Sequence, residues 1–212
     1  MNSKRFFVTG TDTGIGKTVA SALLCAALDA MYWKPIQTGS REGTDRATVM
    51  RIAQLPRERT IPEAYCFAPP VSPHLAARLA GKRIDLRRIS LPMIAARENL
   101  IVEGAGGVLV PVNGEQLMTD VMRRLRLPVL LVARSSLGTI NHTLLSLAAL
   151  QAARLEIRGV IMVGQRNEEN RKAIEHYGNA RVIGMIPPLR RLNRAALLAT
   201  FRKHFDPRAL GE

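Results

Sequence analysis

The stretch Val8-Thr9-Gly10-Thr11-Asp12-Thr13-Gly14-Ile15-Gly16-Lys17-Thr18 decides the reading of this 212-residue chain. Residues 5–9 (RFFVT) before it are apolar enough for a buried strand, and residues 17–30 after it read as a helix opening directly from glycines. A loop of exposed backbone N–H groups that opens onto a helix N-terminus binds phosphate oxygens through its amides and the helix dipole. Gly16 permits close backbone approach, Lys17 supplies a point charge for β and γ oxygens, and the Thr18 hydroxyl can ligate Mg²⁺. The strict spacing G-x-x-x-x-G-K-[ST] is not met, because Thr11 stands where its first glycine belongs and Gly10 comes one residue early. The flanking strand and helix and the intact Gly-Lys-Thr outweigh that departure.

Working outward, strand-like and helix-like runs alternate. Strands are expected at residues 31–34, 99–103, 128–133, 158–163 and 181–185. Helices are expected at 45–55, 73–80, 86–98, 115–125, 139–153, 168–177 and 193–205, and residues 59–72, with prolines in and around them, read as loop. Continuous Val/Ile/Leu runs between helices mean strands buried on both faces, hence a mostly parallel sheet with right-handed crossovers. The class is α/β: one three-layer domain over residues 1–212, a P-loop NTPase fold with helices flanking the sheet. Ligands in such sheets bind beyond the carboxyl ends of the strands, so the residues following each strand carry the chemistry.

Three of those residues stand out. Lys34 ends the second strand and precedes Pro35-Ile36-Gln37-Thr38-Gly39. Some ATPases of the nitrogenase-iron-protein type place a second lysine near the start of the phosphate loop; here that position is Asp12, so catalytic positive charge must come from elsewhere. Glu103 ends the run NLIVE before Gly104-Ala105-Gly106-Gly107, where a carboxylate can hold a metal or its water. Asp45, in Gly43-Thr44-Asp45-Arg46, reads by itself as a helix N-cap.

Composition narrows the rest. A net charge of +14 is spread over both halves of the chain, and with 4% aromatics and no nucleic-acid-binding motif it reads as a solvated arginine-rich surface. No nucleic-acid partner is expected. The longest apolar stretches fall short of the roughly 20 residues a membrane span requires. Two distant cysteines, Cys25 and Cys66, form no disulfide framework, and no N-terminal apolar segment suggests export, so a cytoplasmic location is expected. Four scattered histidines lack metal-site spacing, and no nucleophile elbow is present.

Five segments in order resemble the dethiobiotin synthetase family: VTGTDTGIGKT (8–18), KPIQTG (34–39), SPHLAA (72–77), VEGAGG (102–107) and LGTINHTLLS (137–146). The resemblance implies closure of the ureido ring of dethiobiotin from 7,8-diaminopelargonic acid, CO₂ or bicarbonate and ATP, with Mg²⁺, in a homodimer. It implies catalytic roles for Lys34 and Lys17 and substrate contacts from Thr13, Lys34 and Thr38. Nucleotide contacts are implied for Gly14, Ile15, Gly16, Lys17, Thr18, Val19, Asp45, Glu103, Gly104, Ala105, Gly106, Val163, Gly164, Pro187, Pro188 and Leu189. Metal contacts are implied for Thr18, Asp45 and Glu103, which overturns the N-cap reading of Asp45. The helix opening at Gly138-Thr139-Ile140-Asn141 matches the segment that meets the substrate carboxylate from the partner subunit. One departure concerns the base: Val163-Gly164 stand where the family often has an asparagine. Two other readings of the chain are a P-loop ATPase switch of the partitioning or septum-positioning type, and a nucleotide-binding regulatory domain without catalysis.

Overall fold

Strands with apolar side chains on both faces demand cover on both sides, and the computed structural model, which describes residues 3–211, shows how that cover is supplied. In β1 (Arg5–Gly10), Phe7 joins a core that includes Val102 and Leu131, while Phe6 and Val8 join a second core with Ile101 and Leu130. The two-residue period of a strand thus feeds two separate cores. Among the described residues the further strands are β2 (Met31–Trp33), β3 (Ile36–Gln37), β4 (Thr60–Ile61), β5 (Tyr65–Cys66), β6 (Leu100–Glu103), β7 (Val129–Arg134), β8 (Ile157–Val163) and β9 (Val182–Ile186). The helices are α1 (Lys17–Leu28), α2 (Asp45–Ala53), α3 (Pro73–Leu79), α4 (Met118–Leu125), α5 (Thr139–Ala152), α6 (Glu168–Gly178) and α7 (Arg194–His204).

Seven strands form one all-parallel sheet in the order β4-β2-β6-β1-β7-β8-β9. Helices α1, α2 and α7 pack together on one face, and α4, α5 and α6 lie over the other. The chain leaves β1 toward β2 on one side and later reaches β7 on the other. That reversal opens a crevice at the carboxyl ends of β1, β2 and β6. A separate two-stranded parallel pair, β3 with β5, holds the segment just after Lys34 through Ile36–Tyr65 and Gln37–Cys66 pairing.

The structure corrects several expectations. Residues 86–98 are not a helix: one 3₁₀ turn, Leu86–Arg88, is followed by irregular chain. Pro92 lacks an amide donor and biases Leu91 away from helical geometry. Arginines from elsewhere take the carbonyls that helix bonds would have used. Arg124 donates to Ile89 O at 2.8 Å, and Arg5 to Ala95 O at 2.9 Å and Glu98 O at 3.1 Å. The stretch 59–72 is not all loop, since β4 and β5 lie within it. The helix expected from residue 115 starts at Met118, because Asn113 Oδ1 accepts from the amides of Glu115 and Gln116 and holds them in a turn.

Past α7 the chain doubles back over β9. Phe205 forms an antiparallel bridge with Gly184, and the Asp206 amide donates to Ile183 O at 3.0 Å. A side chain at Gly184 would collide with the Phe205 ring, so glycine is required by the crossing itself.

Candidate active site

The loop between β1 and α1 closes on itself. Gly14 and Gly16 adopt positive φ of 69° and 99°, which favour glycine. The Lys17 ammonium donates to the Asp12 carbonyl at 2.7 Å. Lys17 is buried, and burial depresses its pKa to about 8, although Glu103 pulls the other way. Arg134, at the end of β7, brings its Nη2 within 3.4 Å of both Asp12 Oδ2 and Thr13 O.

Beside this loop, four strand and helix ends meet. Lys34 follows β2, Glu103 ends β6, Thr18 lies in the first turn of α1, and Asp45 opens α2. The Lys34 ammonium lies 2.6 Å from Asp45 Oδ2 and 3.0 Å from Glu103 Oε1. The Thr18 hydroxyl donates to Asp45 Oδ1 at 2.6 Å and lies 3.1 Å from Glu103 Oε1. Side-chain exposure is 7% for Lys34, 27% for Asp45 and 1% for Glu103. Burial alone would lower the Lys34 pKa, but the two carboxylates outweigh it and hold the group charged. Asp45 likewise stays ionised: burial raises its pKa, and Lys34 together with hydrogen bonds from Thr18 and Gln37 more than reverses this.

Thr44, not Asp45, caps α2, its hydroxyl accepting from Ala47 N at 3.1 Å. Asp45 is thereby free to face the cluster. Gln37 secures it, accepting from the Asp45 amide at 3.0 Å. Tyr32 secures Glu103, its hydroxyl donating to Oε2 at 3.0 Å. The reading from sequence assigned neither residue. Tyr32 precedes Lys34 by two positions in extended chain running out of β2, so strand alternation was the signal that could have found it.

Lys17, Thr18, Lys34, Gln37, Asp45 and Glu103 line a cleft of about 550 Å³ with Thr13, Gly14, Gly16, Val19, Thr38, Ala105 and Gly106. Pro70 and Val71 also line it, with Ser72 and Pro73, which open the SPHLAA segment. Another hollow, of about 580 Å³, is ringed by Arg83, Arg87 and Arg124, but Arg124 is already spent on the carbonyls of Ile89 and Arg87. The cluster in the cleft offers hard oxygen donors of the kind Mg²⁺ takes, two carboxylates and a hydroxyl, and the Lys34 ammonium already sits among them as a cation.

An ATP-dependent dethiobiotin synthetase BioD of Rhodopseudomonas palustris (strain TIE-1) is 47% identical over 206 residues, covering 97% of this chain and 96% of that protein. The chain belongs to the dethiobiotin synthetase family. A second such synthetase, from Paramagnetospirillum magneticum, is 52% identical over 191 residues, covering 90% of this chain and 91% of the relative. A family model described as "AAA domain" matches residues 4–196. Among solved structures, the MinC:MinD cell division protein complex of Aquifex aeolicus superposes with a TM-score of 0.59 at 14% identity, covering 99% of this chain and 97% of that one. At that identity the likeness shows a shared P-loop NTPase fold and nothing of function.

The remaining positions that the dethiobiotin synthetase resemblance implies divide into two groups. The Ile15 side chain is buried in the core that α1 covers, and a Cβ at Gly104 would lie 2.9 Å from the Phe7 ring in the core on the other face of the sheet. Val163 ends β8 next to the loop, 3.0 Å from where a Cβ of Gly16 would stand. The Val163 carbonyl accepts from Ser135 N at 3.0 Å, and the Gly164 amide donates to Ile186 O at 2.9 Å. Pro187, Pro188 and Leu189 follow directly on β9. None of these five residues lines the cleft, and Val163 stands against Gly16, which does.

Proposed function

We propose that the cleft closes the ureido ring of dethiobiotin, in a magnesium-dependent, homodimeric cytoplasmic enzyme of biotin biosynthesis. The observation that carries the reading is the convergence of Lys17, at the start of α1, and Lys34, just past β2, on one cleft that also holds Thr18, Asp45 and Glu103. An amine of 7,8-diaminopelargonic acid adds to CO₂ and loses a proton, giving a carbamate. A carbamate oxygen attacks the γ-phosphorus and ADP departs, leaving a carbamic-phosphoric anhydride. The second amine attacks the carbamoyl carbon, expels phosphate and closes the ring.

Phosphoryl transfer of this kind needs positioning and neutralisation of charge rather than a covalent nucleophile. The loop amides and Lys17 hold the β and γ phosphates. Thr18, Asp45 and Glu103 would hold Mg²⁺, which when bound neutralises charge on the phosphate oxygens. Lys34 faces the same space as Thr13 and Thr38, so its ammonium stabilises charge that develops between carbamate and γ-phosphoryl oxygens. Leu137 and Leu145, 103% and 63% exposed at the start and on the face of α5, support a partner-facing surface beside Gly138–Asn141. The test is ADP formation that requires both diamine and bicarbonate, with dethiobiotin detected by mass. ADP formation indifferent to the diamine and stimulated by DNA would replace this reading by the partitioning-type switch.

Lys17 sets a pH dependence. Its pKa of about 8 in the free protein means the ammonium is half-neutral near pH 8, whereas a bound phosphate favours the charged form. Nucleotide binding therefore takes up a proton, about half an equivalent at pH 8, and affinity falls by up to about tenfold per pH unit above that. Calorimetry in buffers of different ionisation heat measures the uptake. An ADP affinity flat from pH 7 to 9.5 would contradict it.

Base selectivity should be weak. Val163 offers the base no hydrogen-bonding side chain, and the Val163 carbonyl and Gly164 amide are already engaged. Sites without such polar partners discriminate by roughly 10²-fold or less. Turnover with GTP in place of ATP is expected within that range, and a far larger preference for ATP would reveal base recognition from another segment.

A further inference from the structure

We propose that Tyr32 is a positioning residue for the reaction, its hydroxyl fixing which oxygen of Glu103 faces the metal and the nucleotide. The proposal rests on the reading of Glu103 as a metal-side carboxylate. Tyr32 is fully buried in β2, within the core that α1 covers. Its register partner on β6 is Ile101, so Glu103, two residues further on, stands diagonally across the same face.

The two oxygens of Glu103 are held from opposite sides. Oε1 is 3.0 Å from Lys34 Nζ and 3.1 Å from the Thr18 hydroxyl, both of which line the cleft. Oε2 is 3.0 Å from the Tyr32 hydroxyl, which does not line it. Lys34 and Thr18 sit on side chains that can turn as ligands arrive. The phenol cannot, because its ring is packed among Leu23, Ile101 and their neighbours in the core. It is the fixed point against which the carboxylate keeps its orientation while its other partners change. Outer partners of metal-binding carboxylates tune affinity in this way, and losing one typically weakens metal binding or activity by 10–100-fold.

The experiment replaces Tyr32 by phenylalanine, which keeps the ring and removes one oxygen. Two quantities are measured on the full chain: the Mg²⁺ concentration for half-maximal turnover, and the calorimetric affinity for ADP with and without Mg²⁺. The expected result is a rise of about tenfold or more in half-saturating Mg²⁺. The Mg²⁺-dependent gain in ADP affinity falls in step, while metal-free ADP affinity and the KM for the diamine stay at wild-type values. A purely structural role would lower the melting temperature and leave the metal dependence alone, which would overturn the proposal.

Glu103→Gln separates the proposal from the reading beneath it. If Glu103→Gln loses the metal dependence and Tyr32→Phe keeps it, the role of Tyr32 falls while the site reading stands. If Glu103→Gln also behaves as wild type, both fall. The double variant Tyr32→Phe/Glu103→Gln leaves no charged oxygen without its donor, so it serves even if Tyr32→Phe folds poorly. Its metal dependence should match that of Glu103→Gln alone, and a further independent loss would contradict an action through Glu103.

Discussion

Lys34→Ala is expected to reduce dethiobiotin formation by about 10²–10³-fold, the usual effect of removing one preorganised charge-stabilising donor from a reacting centre. ATP and ADP affinities should stay within a few-fold of wild type. In the proposed site Lys17 and the loop amides seat the phosphates, and Lys34 reaches the same cleft from the end of β2, beyond β6. Removing Lys34 takes away charge where it develops and leaves the nucleotide seat intact. Steady-state product formation with calorimetric nucleotide binding checks both halves. Unchanged turnover would remove Lys34 from the mechanism. Loss of binding equal to the loss of turnover would make it part of the nucleotide seat.

The same substitution should strongly destabilise the metal-free protein. Asp45 and Glu103 both depend on the Lys34 ammonium, at 2.6 Å and 3.0 Å, and Glu103 is almost wholly buried. Removing one partner of a buried ionic group costs about 3–5 kcal/mol, because the remaining charge keeps its burial and loses its counter-ion. In a chain of this size that lowers the melting temperature by roughly 10 °C. Millimolar Mg²⁺ should recover much of the loss in Lys34→Ala and change wild type little, since in wild type a cation already stands between the carboxylates. Thermal scans with and without Mg²⁺ decide this. Equal responses of the two proteins would mean that lysine and metal do not share these oxygens.

How much of this could be read from the residues alone depends on range. The phosphate loop and the parallel sheet follow from local patterns, a glycine-rich turn between strand and helix and two-sided apolar runs, and the structure agrees with both. Lys34 and Glu103 were legible because strand carboxyl ends are where such sheets gather ligands. Asp45 was not legible by itself. A carboxylate next to a helix start looks like a cap, and only the fold reveals that Thr44 caps while Asp45 turns to Lys34. Residues 86–98 misled for a related reason. Their helical composition was outweighed by Pro92 and by carbonyls satisfied from Arg5 and Arg124, and neither arginine lies in the segment. Gln37 and Tyr32 escaped because their roles lie in what they hold.

The crossing of Phe205 over Gly184 bears on how copies of this chain can meet. Open sheet edges invite strands from other molecules, and proteins blunt them by shortening or covering. Here one border strand, β4, has two residues, and the other, β9, carries the returning chain across its middle. Association by continuing the sheet from one molecule into the next is therefore blocked on both flanks. Were two copies to pair as proposed, they would meet through side chains, and the bare leucines around α5 offer the surface for it.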